Sequence, residues 1–246
     1  MILKKYEDLP EALKTKEAYE YYSILKRKIP SLFLKRSFDF TAALVMLILI
    51  SPVLLAIGIA VKTDSDGAII FKQQRITKYG RIFYIYKFRT MYIGSEKGSQ
   101  VTVDNDSRIT KCGKFLRKYR LDELPQLVNI LKGDMSFVGT RPEVKKYVDC
   151  YTDEMRATLL LPAGVTSLAS IKYKDEDRLL NSSLDPDSTY IDEILPQKMK
   201  YNLEYIKKFS VWYDLYLMLD TVAAVCKKDS DTGETLPQEE KTFIER

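Results

Sequence analysis

Residues 40–61 read FTAALVMLILISPVLLAIGIAV, twenty-two residues without a charge. A straight helix of that length reaches ~33 Å, enough to cross a bilayer. It has no polar face, so it does not read as the surface helix of a soluble core. Ser51-Pro52 falls in its middle. Proline has no N–H and crowds the carbonyl four residues earlier, so the helix kinks or breaks there, and a neighbouring serine can bond a freed carbonyl. Lys26, Arg27, Lys28, Lys35 and Arg36 precede the stretch; Lys62, Lys72, Arg75 and Lys78 follow it. Basic flanks favour the cytoplasmic side, and here both flanks are basic. A kinked single crossing and a helix–break–helix that dips into one leaflet both remain open; only the second keeps both flanks cytoplasmic. The stretch starts too late for a signal peptide and lacks a small-residue cleavage site.

The rest of the chain bounds the chemistry. The 246 residues are 46% hydrophobic and 30% charged, which excludes global disorder and a many-span transporter. There is no histidine, so acid–base work falls to carboxylates, Lys, Tyr or Cys. Cys112, Cys150 and Cys226 stand far apart, without metal spacing or a disulfide framework, which points to a reducing compartment. Net charge is +5, but residues 62–120 carry fourteen basic and five acidic groups, while residues 121–246 carry sixteen and twenty-three. A basic block beside an apolar stretch suits anionic lipid, phosphorylated substrates or nucleic acid; it also reads as a solvated face.

After the apolar stretch, 68–75 (AIIFKQQR) and 82–89 (IFYIYKFR) read as two strands around a turn at Lys78-Tyr79-Gly80. Strand alternation puts Lys87 and Arg89 on one face, a pair suited to phosphate or to a solvated edge. Residues 94–107 are polar and loop-like, and 109–120 (ITKCGKFLRKYR) becomes helical after Gly113. In LDELPQLVNILKGD, Leu121, Leu124, Val128 and Leu131 recur on one helical face, and Pro125 suits a first turn. That puts Asp122 and Glu123 at a helix N-terminus, where the dipole favours negative charge. As an isolated pair they read as capping. With Arg117, Arg120 and Arg141 nearby, they also read as a cation-binding pair, one of which can attack phosphorus. MSFVG (135–139) reads as a short strand, Pro162-Ala163-Gly164 as a turn, and 197–226 as one long amphipathic segment, packed on the core or lying on a membrane.

Together KFRTM (87–91), DSRIT-x-x-G (106–113), LRKYRLDELPQLVNILKGDMSFVGTRPE (116–143) and the Ser-Pro-broken apolar hairpin before them resemble the bacterial sugar transferase family, the monotopic phosphoglycosyl transferases. The resemblance covers roughly residues 33–225. It looks like a small, catalytic-domain-only member without the four-span amino-terminal domain of the large ones. It implies transfer of a sugar-1-phosphate from a UDP-sugar to polyprenol (undecaprenyl) phosphate, with release of UMP, as the first step of a surface glycan or glycoconjugate. It also implies a ping-pong route: Asp122 as nucleophile and Mg²⁺ contact, Glu123 supporting the metal or a proton transfer. Arg117 and Arg141 then bind phosphate, Lys87 and Arg89 line the site, and Ser51-Pro52 is the break of a re-entrant helix. The usual Gly-Pro-Arg-Pro loop here reads Gly139-Thr140-Arg141-Pro142, and 162–177 (PAGVTSLASIKYKDED) departs from the family's turn, so sugar identity does not carry over.

The expected fold is α+β. A mostly helical cytoplasmic domain with a small β-hairpin is anchored by a Ser-Pro-broken re-entrant membrane helix and an amphipathic C-terminal helix. Residues 1–32 form a basic helical extension, 33–62 the membrane segment, 63–226 the catalytic domain and 227–246 a polar mobile tail. The expected home is the bacterial inner membrane with the catalytic domain on the cytoplasmic face. The expected partners are the UDP-sugar, the polyprenol phosphate and membrane lipids, with a homodimer open and no nucleic acid. A catalytically silent membrane-anchored scaffold is the competing reading; the Asp122-Glu123 pair and Arg141 argue against it.

Overall fold

The apolar stretch lies within α2 (Ile29–Asp64), a single helix of 36 residues in a computed structural model of the chain that describes residues 3–94, 107–173 and 185–226. The expected tail at 227–246, most of the loop at 94–107 and residues 174–177 lie outside the described residues. Pro52 sits inside α2, and the secondary structure does not divide there. The reason is local. Pro52 leaves the Ile48 carbonyl without its N–H partner, and Ser51 Oγ donates to that carbonyl at 2.8 Å.

Both ends of α2 are held by the same domain. At the first, Lys35 Nζ donates to the Val138 carbonyl at 2.9 Å, and Arg36 donates to the Ile130 and Leu131 carbonyls at 2.6 and 2.9 Å. At the second, Val61 is buried against Phe88 and Leu116. Between them Leu44, Ile48, Val53 and Leu55 are exposed, with Leu49 at 72%. Thirteen large hydrophobic residues are exposed on this one helix, whereas a soluble surface scatters its exposed apolar residues singly.

Ahead of α2, Thr15 caps α1 (Lys16–Arg27) by accepting from the Ala18 N–H. Leu9, Leu13, Tyr21 and Leu25 pack with Leu160, Ile206 and Phe209 in the largest core cluster.

Beyond α2, β1 (Ile70–Thr77) and β2 (Arg81–Phe88) form the expected antiparallel hairpin, with Gln73 opposite Ile85. Tyr79 and Gly80 take positive φ in the turn. Phe83 and Ile85 face Leu127, Ile130 and Met135, while Ile82 and Tyr84 point outward. Asn129 on α4 (Gln126–Lys132) stitches the free edge of β2: its Oδ1 accepts from Tyr86 N–H at 3.0 Å and its Nδ2 donates to the Tyr84 carbonyl at 2.7 Å.

A second, parallel sheet pairs β3 (Met135–Val138) with β4 (Ala163–Thr166). Ala163-Gly164 is therefore strand, not the expected turn. The cause is a close backbone approach: a Cβ at Gly164 would lie 2.2 Å from the Gly139 nitrogen, so the glycine allows contact rather than reversal.

The expected long C-terminal segment is two helices, Leu195–Lys208 and Val211–Cys226. Ser210 starts the second, its Oγ accepting from Tyr213 N–H at 3.1 Å, and Lys28 Nζ bonds the Phe209 carbonyl at 2.6 Å. The first helix buries Leu203 and Ile206 in the core. The second leaves Trp212, Tyr216, Leu219 and Val222 exposed along one stripe, Trp212 at 81%.

Candidate active site

Three elements deliver the charged residues. The first is α3 (Lys111–Lys118), which carries Arg117. Its start is fixed twice: Thr110 Oγ1 accepts from Gly113 N–H at 2.9 Å, and Asp64, the last residue of α2, accepts from Cys112 N–H at 2.9 Å. A Cβ at Gly113 would meet the Thr90 carbonyl oxygen at 2.2 Å, so only glycine lets α3 lie against the chain leaving the hairpin. The second is the turn after α3. Arg120 adopts left-handed backbone (φ 53°), an uncommon state for a residue with a side chain, and reverses the chain into a 3₁₀ turn, Leu121–Glu123. Asp122 and Glu123 therefore precede α4 rather than forming its first turn. The expected apolar face is corrected too. Gln126, Leu127, Asn129 and Ile130 are the buried residues of α4, because the helix is wedged against the hairpin and β3; Leu121, Leu124, Val128 and Leu131 are half-buried.

The third element is the loop Thr140-Arg141-Pro142 after β3. Its backbone is pinned by Gly164 N–H to the Thr140 carbonyl at 2.9 Å and by Ile76 N–H to the Glu143 carbonyl at 3.0 Å. Glu143 is buried and accepts from Tyr190 Oη at 2.5 Å; Lys198 Nζ donates to the same Tyr190 oxygen at 3.0 Å. Arg75 reaches the Pro142 carbonyl at 3.4 Å. Sequence reasoning missed Arg75, Glu143, Tyr190 and Lys198. Only Glu143 left a signal, as the residue that closes the TRPE block.

These elements meet at Glu123. Its Oε1 accepts from Lys87 Nζ at 2.7 Å and from Arg141 Nη2 at 3.2 Å. Burial alone would raise the Glu123 carboxyl, but Arg141 and Lys87 outweigh it and hold the group well below the usual carboxylate range. Asp122 behaves oppositely. It is 8% exposed, and burial raises its carboxyl above the ordinary aspartate value, against the pull of Lys87 and Arg117 and with a push from Glu123. Burial likewise lowers the Lys87 ammonium, which Glu123 counters. Arg117 Nη1 is buried with no hydrogen-bond partner. The structure thus gathers Asp122, Glu123, Lys87, Arg117 and Arg141.

Arg89 is not brought to them. Strand β2 ends at Phe88, and the Arg89 guanidinium turns to the end of α2, donating to the carbonyls of Ala68 at 2.7 Å and Ser65 at 2.5 Å and to Ser65 Oγ at 2.9 Å. It joins the end of α2 to the hairpin. Ser51 and Pro52 lie in the exposed middle of α2.

Among the described residues no group of three or more His, Cys, Asp or Glu side chains could hold a metal ion. Lys87 and Arg141 both bond Glu123, so among the described residues Asp122 is the carboxylate of the site without a side-chain partner. A single carboxylate completed by substrate phosphates is an ordinary way to hold Mg²⁺, so the donor set fits that ion with a diphosphate present and not as a protein-only cage.

A buried acid with a raised carboxyl, a second acid bonded by two cations, and an unpartnered arginine nitrogen thus lie close together. The chain matches the family model for bacterial sugar transferases over residues 30–228, and it belongs to that family. It is 37% identical over 197 residues to an Aeromonas hydrophila UDP-N-acetylgalactosamine-undecaprenyl-phosphate N-acetylgalactosaminephosphotransferase, covering 78% of this chain and 44% of the relative. It is 37% identical over 194 residues to an Escherichia coli UDP-glucose:undecaprenyl-phosphate glucose-1-phosphate transferase, covering 77% and 39%. A Caulobacter vibrioides relative of the same description is 35% identical over 201 residues, covering 80% and 71%. The chain thus spans less than half the length of the first two relatives.

Proposed function

We propose that this chain transfers a sugar-1-phosphate from a UDP-sugar to polyprenol (undecaprenyl) phosphate with release of UMP, and so initiates polysaccharide or glycoconjugate assembly. The observation that carries the reading is the division of labour between two adjacent acids. Lys87 and Arg141 both bond one oxygen of Glu123, whereas among the described residues Asp122 bonds no other side chain and is drawn on by Arg117. An acid without a side-chain partner is available as a nucleophile.

In this reading an Asp122 carboxylate oxygen attacks the β-phosphorus of the UDP-sugar. The bond from that phosphorus to the bridging oxygen breaks, and UMP leaves with the electron pair. The phosphosugar then sits on Asp122 as an acyl phosphate. An oxygen of the lipid phosphate attacks the same phosphorus and returns the carboxylate. Arg117 and Arg141 offset charge that grows on the phosphoryl oxygens, and Lys87 holds Glu123 away from Asp122. Mg²⁺, held by Asp122 and the diphosphate, would supply further neutralisation.

The same reading puts α2 in one leaflet of the inner membrane with both ends cytoplasmic. Arg36 and Gly58 are 22 residues apart, ~33 Å along a straight helix. Yet Arg36 bonds the last carbonyls of α4, and Gly58 lines a groove with Pro125 just before α4, a helix of seven residues. A helix bent at Pro52 brings the two within reach. The exposed stripe of Trp212, Tyr216, Leu219 and Val222 suits the bilayer surface.

The test is product release in nanodiscs with Mg²⁺ and undecaprenyl phosphate across a panel of UDP-sugars. UMP release with one donor, together with a phosphosugar adduct by intact mass that Asp122→Asn abolishes, is the expected result. UDP release would mean ordinary glycosyl transfer and overturn the mechanism; a protein that binds the lipid but releases no nucleotide from any donor would favour the scaffold. Tags at residues 1 and 246 should both report from the cytoplasm, and one outside would restore a single crossing.

A further inference from the structure

A groove of about 590 Å³ opens between α2 and the catalytic domain. Leu47, Leu54 and Gly58 of α2 form one wall; Phe88, Pro125 and Val128 form much of the other. Its lining is almost wholly apolar, and Lys62 is the one charged residue in it. Two positions tie the groove to the charged site: Phe88 follows Lys87, and Pro125 lies three residues after Asp122. In the other direction Leu47, Leu54 and Leu55 belong to the middle of α2, whose neighbours Ile48, Leu49 and Val53 are exposed.

We propose that this groove holds the first isoprene units of the acceptor's hydrocarbon chain and so delivers the lipid phosphate to the Asp122 side of the site. The assignment rests on the function proposed above and deepens it. Such an acceptor is a flexible apolar chain with a dianionic head. The groove is apolar along its walls and runs from the lipid-facing part of α2 to Pro125, three residues from Asp122, with Lys62 as the one cation in its lining to complement the head. A nucleotide or sugar is excluded as its occupant, because desolvating their polar groups there would leave them without partners.

Gly58 provides the handle. A Cβ there would meet only Ile69 Cγ2 at 3.6 Å and Cδ1 at 3.9 Å, ordinary contacts, so the backbone admits a side chain that then fills the groove. The experiment separates the two half-reactions. Gly58→Leu enzyme is loaded with UDP-sugar without lipid, the adduct is counted by intact mass, and undecaprenyl phosphate is then added in nanodiscs. The adduct should form, and its discharge should slow about tenfold or more, as expected for overfilling a packed apolar site. Discharge by a ten-carbon isoprenoid phosphate, which has only the first isoprene units, should slow as well, and discharge of it at the wild-type rate overturns the proposal. Discharge of the adduct by undecaprenyl phosphate at the wild-type rate overturns the proposal.

A binding measurement on wild-type enzyme covers a variant that fails to fold. A diazirine placed in the first isoprene units of a polyprenyl phosphate should label the peptides around 47–62 and 125–128, and unlabelled undecaprenyl phosphate should compete. Labelling elsewhere, or labelling that phospholipid competes equally well, overturns the proposal. Crosslinking needs no turnover, so it remains readable if no UDP-sugar yields UMP and the reaction itself is wrong.

Discussion

A buried ammonium–carboxylate pair at the foot of α2 and a half-buried one at the candidate site differ in what they leave undone. At the foot of α2, Lys35 Nζ bonds Asp214 Oδ2 at 2.7 Å and the Val138 carbonyl, while Tyr205 Oη bonds the other Asp214 oxygen at 2.6 Å. Every Asp214 oxygen has a partner. At the candidate site Lys87 and Arg141 both bond one oxygen of Glu123, and Asp122 beside it takes no other side chain. Burial raises the carboxyls of both Asp214 and Asp122. Burial and a perturbed carboxyl therefore do not distinguish a structural acid from a reactive one. Side-chain partnering separates these two acids: both Asp214 oxygens are bonded, although Asp39 Oδ2 nearby is buried without a partner, whereas among the described residues Asp122 bonds no other side chain and Arg117 Nη1 is buried without a partner.

Substitutions can break that contrast in order of size. Asp122→Asn should reduce adduct formation by about a thousandfold or more with the melting temperature nearly unchanged. Loss of stability instead would move Asp122 into the structural class. Asp214→Ala should do the reverse, costing ~3–5 kcal/mol in denaturant unfolding because Lys35 is left buried without its partner; a neutral result would mean water reaches that cluster. Arg141→Lys keeps the charge but loses the planar fork, and should cost roughly ten- to a hundredfold in UMP release. Tyr205→Phe should cost ~1–2 kcal/mol of stability by removing one bond to Asp214, with no change in rate.

The pH profile sharpens the comparison further. Asp122 must be ionised to attack, so UMP release falls as pH drops through its folded-state pKa, which lies above the ordinary aspartate value. Burial raises that value and Lys87 opposes it. Lys87→Met should therefore move the acid limb of the rate profile to higher pH. An unmoved limb would mean that a group other than Asp122 sets it.

The hairpin was legible because alternation and the Lys78-Tyr79-Gly80 turn act within a few residues. The pairing of β3 with β4 was not, since it joins segments whose contact depends on two glycines meeting across the core. The break at Phe209–Ser210 was hidden for a different reason. The apolar pattern runs on through it, and only the docking of Lys28 and the buried Phe209 ends the first helix. At the site, Asp122, Glu123 and Arg141 stood in one continuous block, whereas Arg75, Tyr190 and Lys198 come from distant elements and carry no local motif.

Alone, the sequence determined what depends on composition and short range: an uncharged stretch of twenty-two residues without a polar face, a proline with a serine beside it, and an adjacent acid pair among arginines in a chain without histidine. The tertiary structure decided how those acids differ. Lys87 and Arg89 alternate onto the same side of an ideal strand, but β2 ends between them, so one reaches Glu123 and the other seals the end of α2. Which acid is neutralised and which stays open depends on where cations from separate elements come to rest, and that is fixed by packing rather than by neighbours in the chain.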